Sequence, residues 1–492
     1  MHSADLIVIV VYFCVTLGVG LWVTRNQRTA SDYFLGARNL PAWSVLLSIV
    51  ATETSALTVI SVPGIGARGD LTFLQLAFGY LVGRIFVARW LLPGYFTGDQ
   101  DTAYTRLERR FGVSTRRYMS TVFLVTRFLG DAVRVYASGI PLALITGWSI
   151  PSSILVMGIV TVIYTLAGGF KAVVWTDVFQ WTIYIVGGTI ALGIAWQLGG
   201  GPGAALRAAS AAGKLRVLDL HVNLTSTYTL VGGIVGGALL SAASHGTDHL
   251  IVQRLLATRS LRDARIALVG SGVVVILQFS LFLLIGSAIW AAGLAPDTEL
   301  ADRLFPQFII SHMPAGLSGL LVAGVLAAAM GTHSSAINAL ASSATYDLYA
   351  GWTGRCDPGH LLTVGRVLST AWGILLIVGA LFFDAYSRSS NTPIVVLALS
   401  IASVTYGALL GTYLLSATAG VRGGNVVTAA SITMAVMLIV IFAKRLSAAV
   451  PWLAPVGTLA WPWYVPLGTG LTLAVGWIAS RLPPAITPAA AT

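Results

Sequence analysis

An acid in the middle of an apolar run needs a reason. In SIVATETSALTVISVPGIG, Glu53 stands among Thr52, Thr54 and Ser55, with Pro63 beyond. A charge at the centre of a membrane span costs about 2.5–3.5 kcal/mol unless it is paired or solvated. Three partners are open to Glu53: a sodium ion, a cationic group on a solute, or Arg134 on a neighbouring helix. Burial without any of them would leave it uncharged, which is the chemistry of a proton-coupled carrier. In RFLGDAVRVYASG, Arg127, Asp131 and Arg134 fall at i, i+4 and i+7, so they share one helical face and can pair as a structural ion-pair network. Asp177, near the start of WTDVFQWTIYIVGG, is either a simple interfacial carboxylate or a cation ligand.

Oxygen-bearing side chains recur in VLAAAMGTHSSAINALASSATYDLY, where Ala328, Gly331, Thr332 and Ser335 follow at helical spacing with Ser334 alongside. A hard cation takes several oxygens from hydroxyls, carboxylates and carbonyls. A hydroxyl stripe facing an unwound segment would supply them, although such stripes also pack helices together. Two segments read as interrupted helices: the one around Glu53, and the glycine-rich LVGGIVGGALLSAASHGTDH. Non-helical backbone at membrane depth is tolerated only inside protein or along a cavity. Two interrupted helices in corresponding positions point to a transporter binding site.

The elements that position these residues are membrane helices. Of 492 residues, 56% are hydrophobic and only 10% charged, where a soluble chain carries roughly 25% charged. With a mean hydropathy of +0.83, this excludes an ordinary cytosolic enzyme. About 20 apolar residues cross a bilayer core, and such runs predict an all-α polytopic protein of about thirteen spans. Their limits are 4–24, 41–66, 72–98, 117–146, 150–168, 173–199, 228–253, 264–294, 315–350, 360–383, 391–416, 425–444 and 460–480. The first lacks the basic flank of a signal peptide and reads as a retained helix. The segments 200–227 and 295–314 are long enough to cover an entrance, and ADRLFPQFII within the second could form an interfacial helix. The tail PPAITPAAAT reads as a disordered end.

A formal charge of +11 does not mean nucleic acid here, because the basic residues sit in short loops between spans. Loops holding Arg25, Arg28 and Arg38, then Arg106 to Arg117, Lys171, Arg254 to Arg265, Arg355, Arg422 and Arg481, outweigh those on the other side. The positive-inside rule then places the N-terminus outside and the C-terminus in the cytoplasm of a plasma or inner membrane. Cys14 lies in a span and Cys356 in a cytoplasmic loop, so they do not pair. No metal-ligand cluster or nucleophile–base motif suggests an enzyme.

The blocks SDYFLGARNLPAWSVLLSIVATETSALTVISVPG, TAYTRLERRFG, AGGFKAVVWTDVFQ, GTDHLIVQRLLATRS, SSAINALASSATYDLY and ALSIASVTYGALLGTYLL occur in this order. In them the chain resembles the sodium/solute symporter family, which carries sugars, proline, sialic acid, iodide and monocarboxylates with sodium. The resemblance implies the LeuT fold of two inverted five-helix repeats. Here these would be 41–199 and 228–416, with an extra helix at 4–24 and flanking helices at 425–480. It also implies a main sodium site of the Ala51, Thr54 and Ala328 carbonyls with the Thr332 hydroxyl. Gly331 departs from the serine usual there, so the site is either weaker or completed by Ser335, substrate or water. A second sodium, found in some members, would use Asp177, Ser334 and Ser335, and Gly331 makes one ion the expectation. Solute contacts match Glu53 and Thr58, with Gln75, His245, Ser400 and Tyr406. Proline-type members also carry an acid at the position of Glu53, and sugar-type members an amide.

The reading is a sodium-coupled symporter that imports a small polar solute by alternating access, with a monomeric transport unit in the lipid bilayer. A proton-coupled carrier on the same fold, or a membrane sensor that binds without transporting, is the alternative. A sensor would usually carry a signalling domain, and none follows Arg481.

Overall fold

The computed structural model describes residues 2–22, 28–98, 100–389 and 394–481. Among them there is no β-strand, only an isolated bridge between Leu40 and Thr258. The chain opens with α1 (Ser3–Trp22), α2 (Ala42–Glu53), α3 (Ala56–Arg68), α4 (Leu74–Phe86) and α5 (Val113–Thr146). It continues through α6 (Ile150–Leu198), α7 (Leu230–Gly246), α8 (His249–Leu256), α9 (Leu261–Ala291) and α10 (Leu317–Ser343). The last four are α11 (Pro358–Ser389), α12 (Ile394–Leu415), α13 (Gly423–Leu446) and α14 (Tyr464–Arg481).

Seven helices among the described residues are long and apolar enough to cross a bilayer, nine if each of two bent pairs is one span. The expected thirteen additionally requires α5, whose middle is charged, α12, α14 and a second count of α6. That helix runs 49 residues, more than twice what a bilayer core needs. Its backbone leaves helical geometry at Gly169, φ 56° and ψ −158°, a conformation open mainly to glycine. The run therefore divides into two membrane-length pieces at a single residue, not at the loop expected between 168 and 173.

Both expected interruptions are present. Between α2 and α3 the chain bends by 67°, and between α7 and α8 by 61°. At the first, Thr54 and Ser55 are extended, and Thr54 turns both its amide and its hydroxyl onto the Val50 carbonyl at 3.0 and 2.7 Å. At the second, Asp248 caps the new helix by accepting from the Leu250 amide at 2.9 Å, a preferred role for aspartate.

Small residues set how the broken helices pack. The α3 helix lies on α9 where Gly66 and Gly286 meet backbone, and α7 lies on α4 where Gly79, Gly233 and Gly237 do so. In lipid no hydrophobic force drives helices together, so close backbone approach carries the association. The α10 helix is enclosed, with every residue from Leu321 to Ser343 buried. Its start is capped by α1: Asp5 Oδ1 accepts from Gly316 N at 2.7 Å, Ser318 Oγ at 2.6 Å and Gly319 N at 3.0 Å.

The two long segments 200–227 and 295–314 pack over helix ends, as an entrance cover and a simple packing cap both would. One carries the helix Pro202–Ala211 and the other Ala301–His312, where ADRLFPQFII was expected to be helical. Lys214 donates to the Ala67 carbonyl at 2.7 Å, and Arg68 to the Pro296 carbonyl at 2.5 Å. Burial works against ionising Asp70 in this cover. Hydrogen bonds from Thr72 and the adjacent Arg216 outweigh it and hold the Asp70 pKa below the usual carboxylate value.

Candidate functional site

The two breaks face one cavity of about 360 Å³. Its polar side lies at the level of the breaks, with Thr52, Glu53, Arg127, Arg134, Ser241, His245, Asp248, Thr332 and Tyr406. Further along α3, toward Arg68, the lining becomes apolar: Val62, Ile65, Phe73, Tyr228, Phe279 and Trp461. Phe73 stacks edge-on against Tyr228 at 5.4 Å and Phe279 at 5.2 Å between ring centres. Trp461 comes from the turn before α14, which Ala460 N ties to the Leu224 carbonyl at 2.9 Å. Nothing in the hydropathy pattern placed that accessory segment at the site.

Of the solute candidates, the fold brings Glu53, Thr58, His245 and Tyr406 to this cavity. Gln75 is elsewhere. It is fully buried, donates to the Thr72 and Tyr228 carbonyls at 3.2 Å each and accepts from Asp219 N at 3.0 Å. Those bonds hold the loop ahead of α7. The side chain of Ser400 lies outside the described residues.

Glu53 is paired, and its partner is none of the three expected. The Arg84 guanidinium, with no solvent exposure, donates to Glu53 and to Ser271 Oγ, the latter at 2.6 Å. The sequence signal was there: Arg84 is an arginine inside an expected span, which demands a partner. His245 Nε2 is 3.7 Å from the Glu53 carboxylate, beyond hydrogen-bonding reach.

The Arg127–Asp131–Arg134 ladder forms with both arginines 3.0 Å from the Asp131 carboxylate. It extends across the cavity floor to the second break. Arg127 reaches Asp248 at 3.5 Å, and Tyr406 donates to Asp248 at 3.0 Å. The acids of this network are committed: Asp131 to two arginines, and Asp248 to Arg127, Tyr406 and the Leu250 amide. Arg134 is 32% exposed and uses one nitrogen on Asp131, so a guanidinium with five donors faces the cavity with donors to spare.

The sodium candidates sit where α10 passes the first break. Thr332 Oγ1 donates to the Ala328 carbonyl at 3.1 Å, and Thr52 and Ser335 hydroxyls are 3.2 Å apart. Ala51 and Thr54 are on the frayed end of α2. A hydroxyl and helix-end carbonyls are oxygens of the kind a hard cation takes.

Asp177 is fully buried, so the interfacial reading does not hold. Ser48 Oγ donates to it at 2.6 Å, and Arg254 Nη2 lies 3.2 Å away. Arg254 also donates to Ser335, while the Ser334 hydroxyl turns to the Gly331 carbonyl at 3.1 Å. The basic-loop count treats Arg254 as an inner-loop charge, yet it has no solvent exposure at all, and it takes up one of the groups that could complete the main sodium site.

The family model for the sodium:solute symporter family matches residues 33–419. Among curated relatives, the human sodium/iodide cotransporter is 30% identical over 82% of this chain, which spans 64% of that protein's length. The sodium/sialic acid symporter NanT of Aliivibrio fischeri is 26% identical, over 79% of this chain and 78% of its own. A solved structure of a Na+-coupled sialic acid symporter, substrate-bound and outward-open, superposes with a TM-score of 0.86 at 23% identity over 98% of both chains.

Proposed function

The chain belongs to the sodium:solute symporter family, and from that premise we propose that it imports a small organic anion with sodium by alternating access. It is a multi-pass membrane transporter, not an enzyme. The observation that carries the solute class is Arg134, which faces the cavity with unused donors while the neighbouring acids are already paired. A carboxylate would take two parallel hydrogen bonds from such a fork. Relatives named for iodide, sialic acid and monocarboxylates support an anion.

Sodium would bind at Ala51, Thr54, Ala328 and Thr332, beside the solute. Each sodium entering down 100 mV contributes about 2.3 kcal/mol, but a singly charged anion entering with it costs the same amount, so with one sodium it is the sodium concentration gradient that drives accumulation. The repeats 41–199 and 228–416 are supported by the way the broken helices pack, α3 on α9 and α7 on α4, a pattern that exchanging the two units preserves. The basic loops support an external N-terminus.

Uptake into proteoliposomes tests this reading. An inward sodium gradient should drive uptake of a labelled carboxylate, with choline failing to replace sodium, and amines and neutral sugars should compete poorly. Uptake that follows a proton gradient and ignores sodium would replace it with the proton-coupled alternative.

A further inference from the structure

We infer that the guanidinium of Arg254 is a tethered cation that occupies the position of a second sodium at Asp177, leaving the carrier one sodium per cycle. The inference rests on the sodium-coupled reading above. Arg254 reaches into a site built from four elements. Its Nε donates to Ser48 Oγ of α2 at 3.0 Å, its Nη1 to the Leu250 carbonyl of α8 at 2.8 Å, and its Nη2 to Asp177 of α6 at 3.2 Å and to Ser335 of α10. The Phe170 ring lies 5.6 Å from the guanidinium carbon, within reach of a cation–π contact. Arg254 and Asp177 both have no solvent exposure.

Of the three groups expected to hold a second sodium, this side chain holds two, Asp177 through Oδ2 and Ser335 through Oγ, and the third, Ser334, is turned to the Gly331 carbonyl. Ser48 Oγ accepts from Arg254 and gives its own proton to Asp177 Oδ2 at 2.6 Å. Ser335 Oγ accepts from Arg254 and gives its proton to the Gly331 carbonyl at 2.6 Å. A guanidinium does not give up its charge in proteins, so a sodium added here would set two cations against one carboxylate in a dry interior, where like charges repel strongly. Gly331 fits the same arrangement. A Cβ there would come within 2.9 Å of Gln180 Oε1 and 3.2 Å of Asp177 Oδ1, so a serine would crowd the atoms beside the ion pair as well as add a ligand that the site does not use.

The position of the pair gives it a second consequence. It joins the two inner half-helices, α2 and α8, to α6 and α10, and the Thr52–Ser335 contact at 3.2 Å links it to the candidate main site. Inward opening has to part these elements, so the resident cation stays with the protein while the mobile one leaves.

Sodium binding to the purified full-length protein decides the matter, measured with radioactive sodium and as thermal stabilisation by NaCl against choline chloride. Wild type should bind about one sodium per chain, and Arg254→Lys should keep that number. Arg254→Ala should bind about two, the added one being lost in Arg254→Ala/Asp177→Ala. Two sodium ions in the wild type, falling to one in Asp177→Ala, would overturn the inference, as would a well-folded Arg254→Ala that still binds one. If Arg254→Ala does not fold, the wild-type count and Asp177→Asn decide, since Asp177→Asn should leave one sodium bound. Absence of any sodium binding would instead remove the sodium-coupled reading itself.

Discussion

Arg84 and Glu53 form an ion pair where α2 ends, the arginine buried from every side and the acid open to the cavity along one edge. Removing one member of such a pair costs about 3–5 kcal/mol, because the other is left charged and dry. Glu53→Gln is therefore expected to unfold at a clearly lower temperature in detergent. Glu53→Gln/Arg84→Met, which removes both charges, should recover part of the loss. A Glu53→Gln protein that melts with the wild type would show that the pair contributes nothing to folding.

Thr332 offers the side-chain oxygen of the proposed main sodium site. Loss of one such interaction is worth on the order of 1–1.5 kcal/mol. Thr332→Ala should raise the sodium concentration for half-maximal uptake by roughly tenfold without changing the amount of protein in the membrane. An unchanged sodium dependence would move the site elsewhere.

What the sequence disclosed and what it hid divide along one physical line. Elements announced by local pattern were legible: the apolar spans, both breaks, the helix in ADRLFPQFII, and the Arg127–Asp131–Arg134 ladder, whose members lie within two turns of one helix. Pairings across the chain were not. Glu53 meets Arg84 31 positions away and Asp177 meets Arg254 77 positions away, and no periodicity encodes either meeting. Arg254 misled because a basic residue near a span end reads as a solvated loop charge. Trp461 lies in a short turn whose composition resembles any interfacial aromatic cluster.

Arg134 should decide anion affinity. A hydrogen bond to a charged group is worth about 1.5–3 kcal/mol, so Arg134→Gln should raise the KM for a carboxylate by roughly 10- to 100-fold. Arg134→Lys should restore part of it, since the charge returns without the fork. Asp131 keeps Arg127 as a partner at 3.0 Å, so the fold should survive both changes. Equal KM values in all three proteins would exclude Arg134 from recognition.

The glycine contacts make a structural prediction. A Cβ at Gly237 would stand 2.6 Å from the Leu76 carbonyl oxygen, and backbone cannot step aside as a side chain can. Gly237→Val should abolish monodisperse protein in size-exclusion profiles. The same change at Gly193, where nothing lies within 4 Å, should leave the profile intact.

Orientation can be read with the native cysteines. Cys356 is exposed and, by the basic-loop count, cytoplasmic. A membrane-impermeant maleimide should label it in inverted vesicles and in permeabilised cells, and fail to label it in intact cells. Labelling of Cys356 in intact cells would reverse the assigned topology.

The cap that Asp5 places on α10 has a bearing on how the molecule is made. Its acceptors wait for amides at Gly316 and Gly319, 311 and 314 positions downstream. The α1 helix is therefore made more than 300 residues before the donors its carboxylate needs. It can settle only when α10 has been inserted, so this contact is closed late in assembly. A label or fusion that displaces α1 would be felt not at the outer edge but at the start of α10, the helix that carries Thr332.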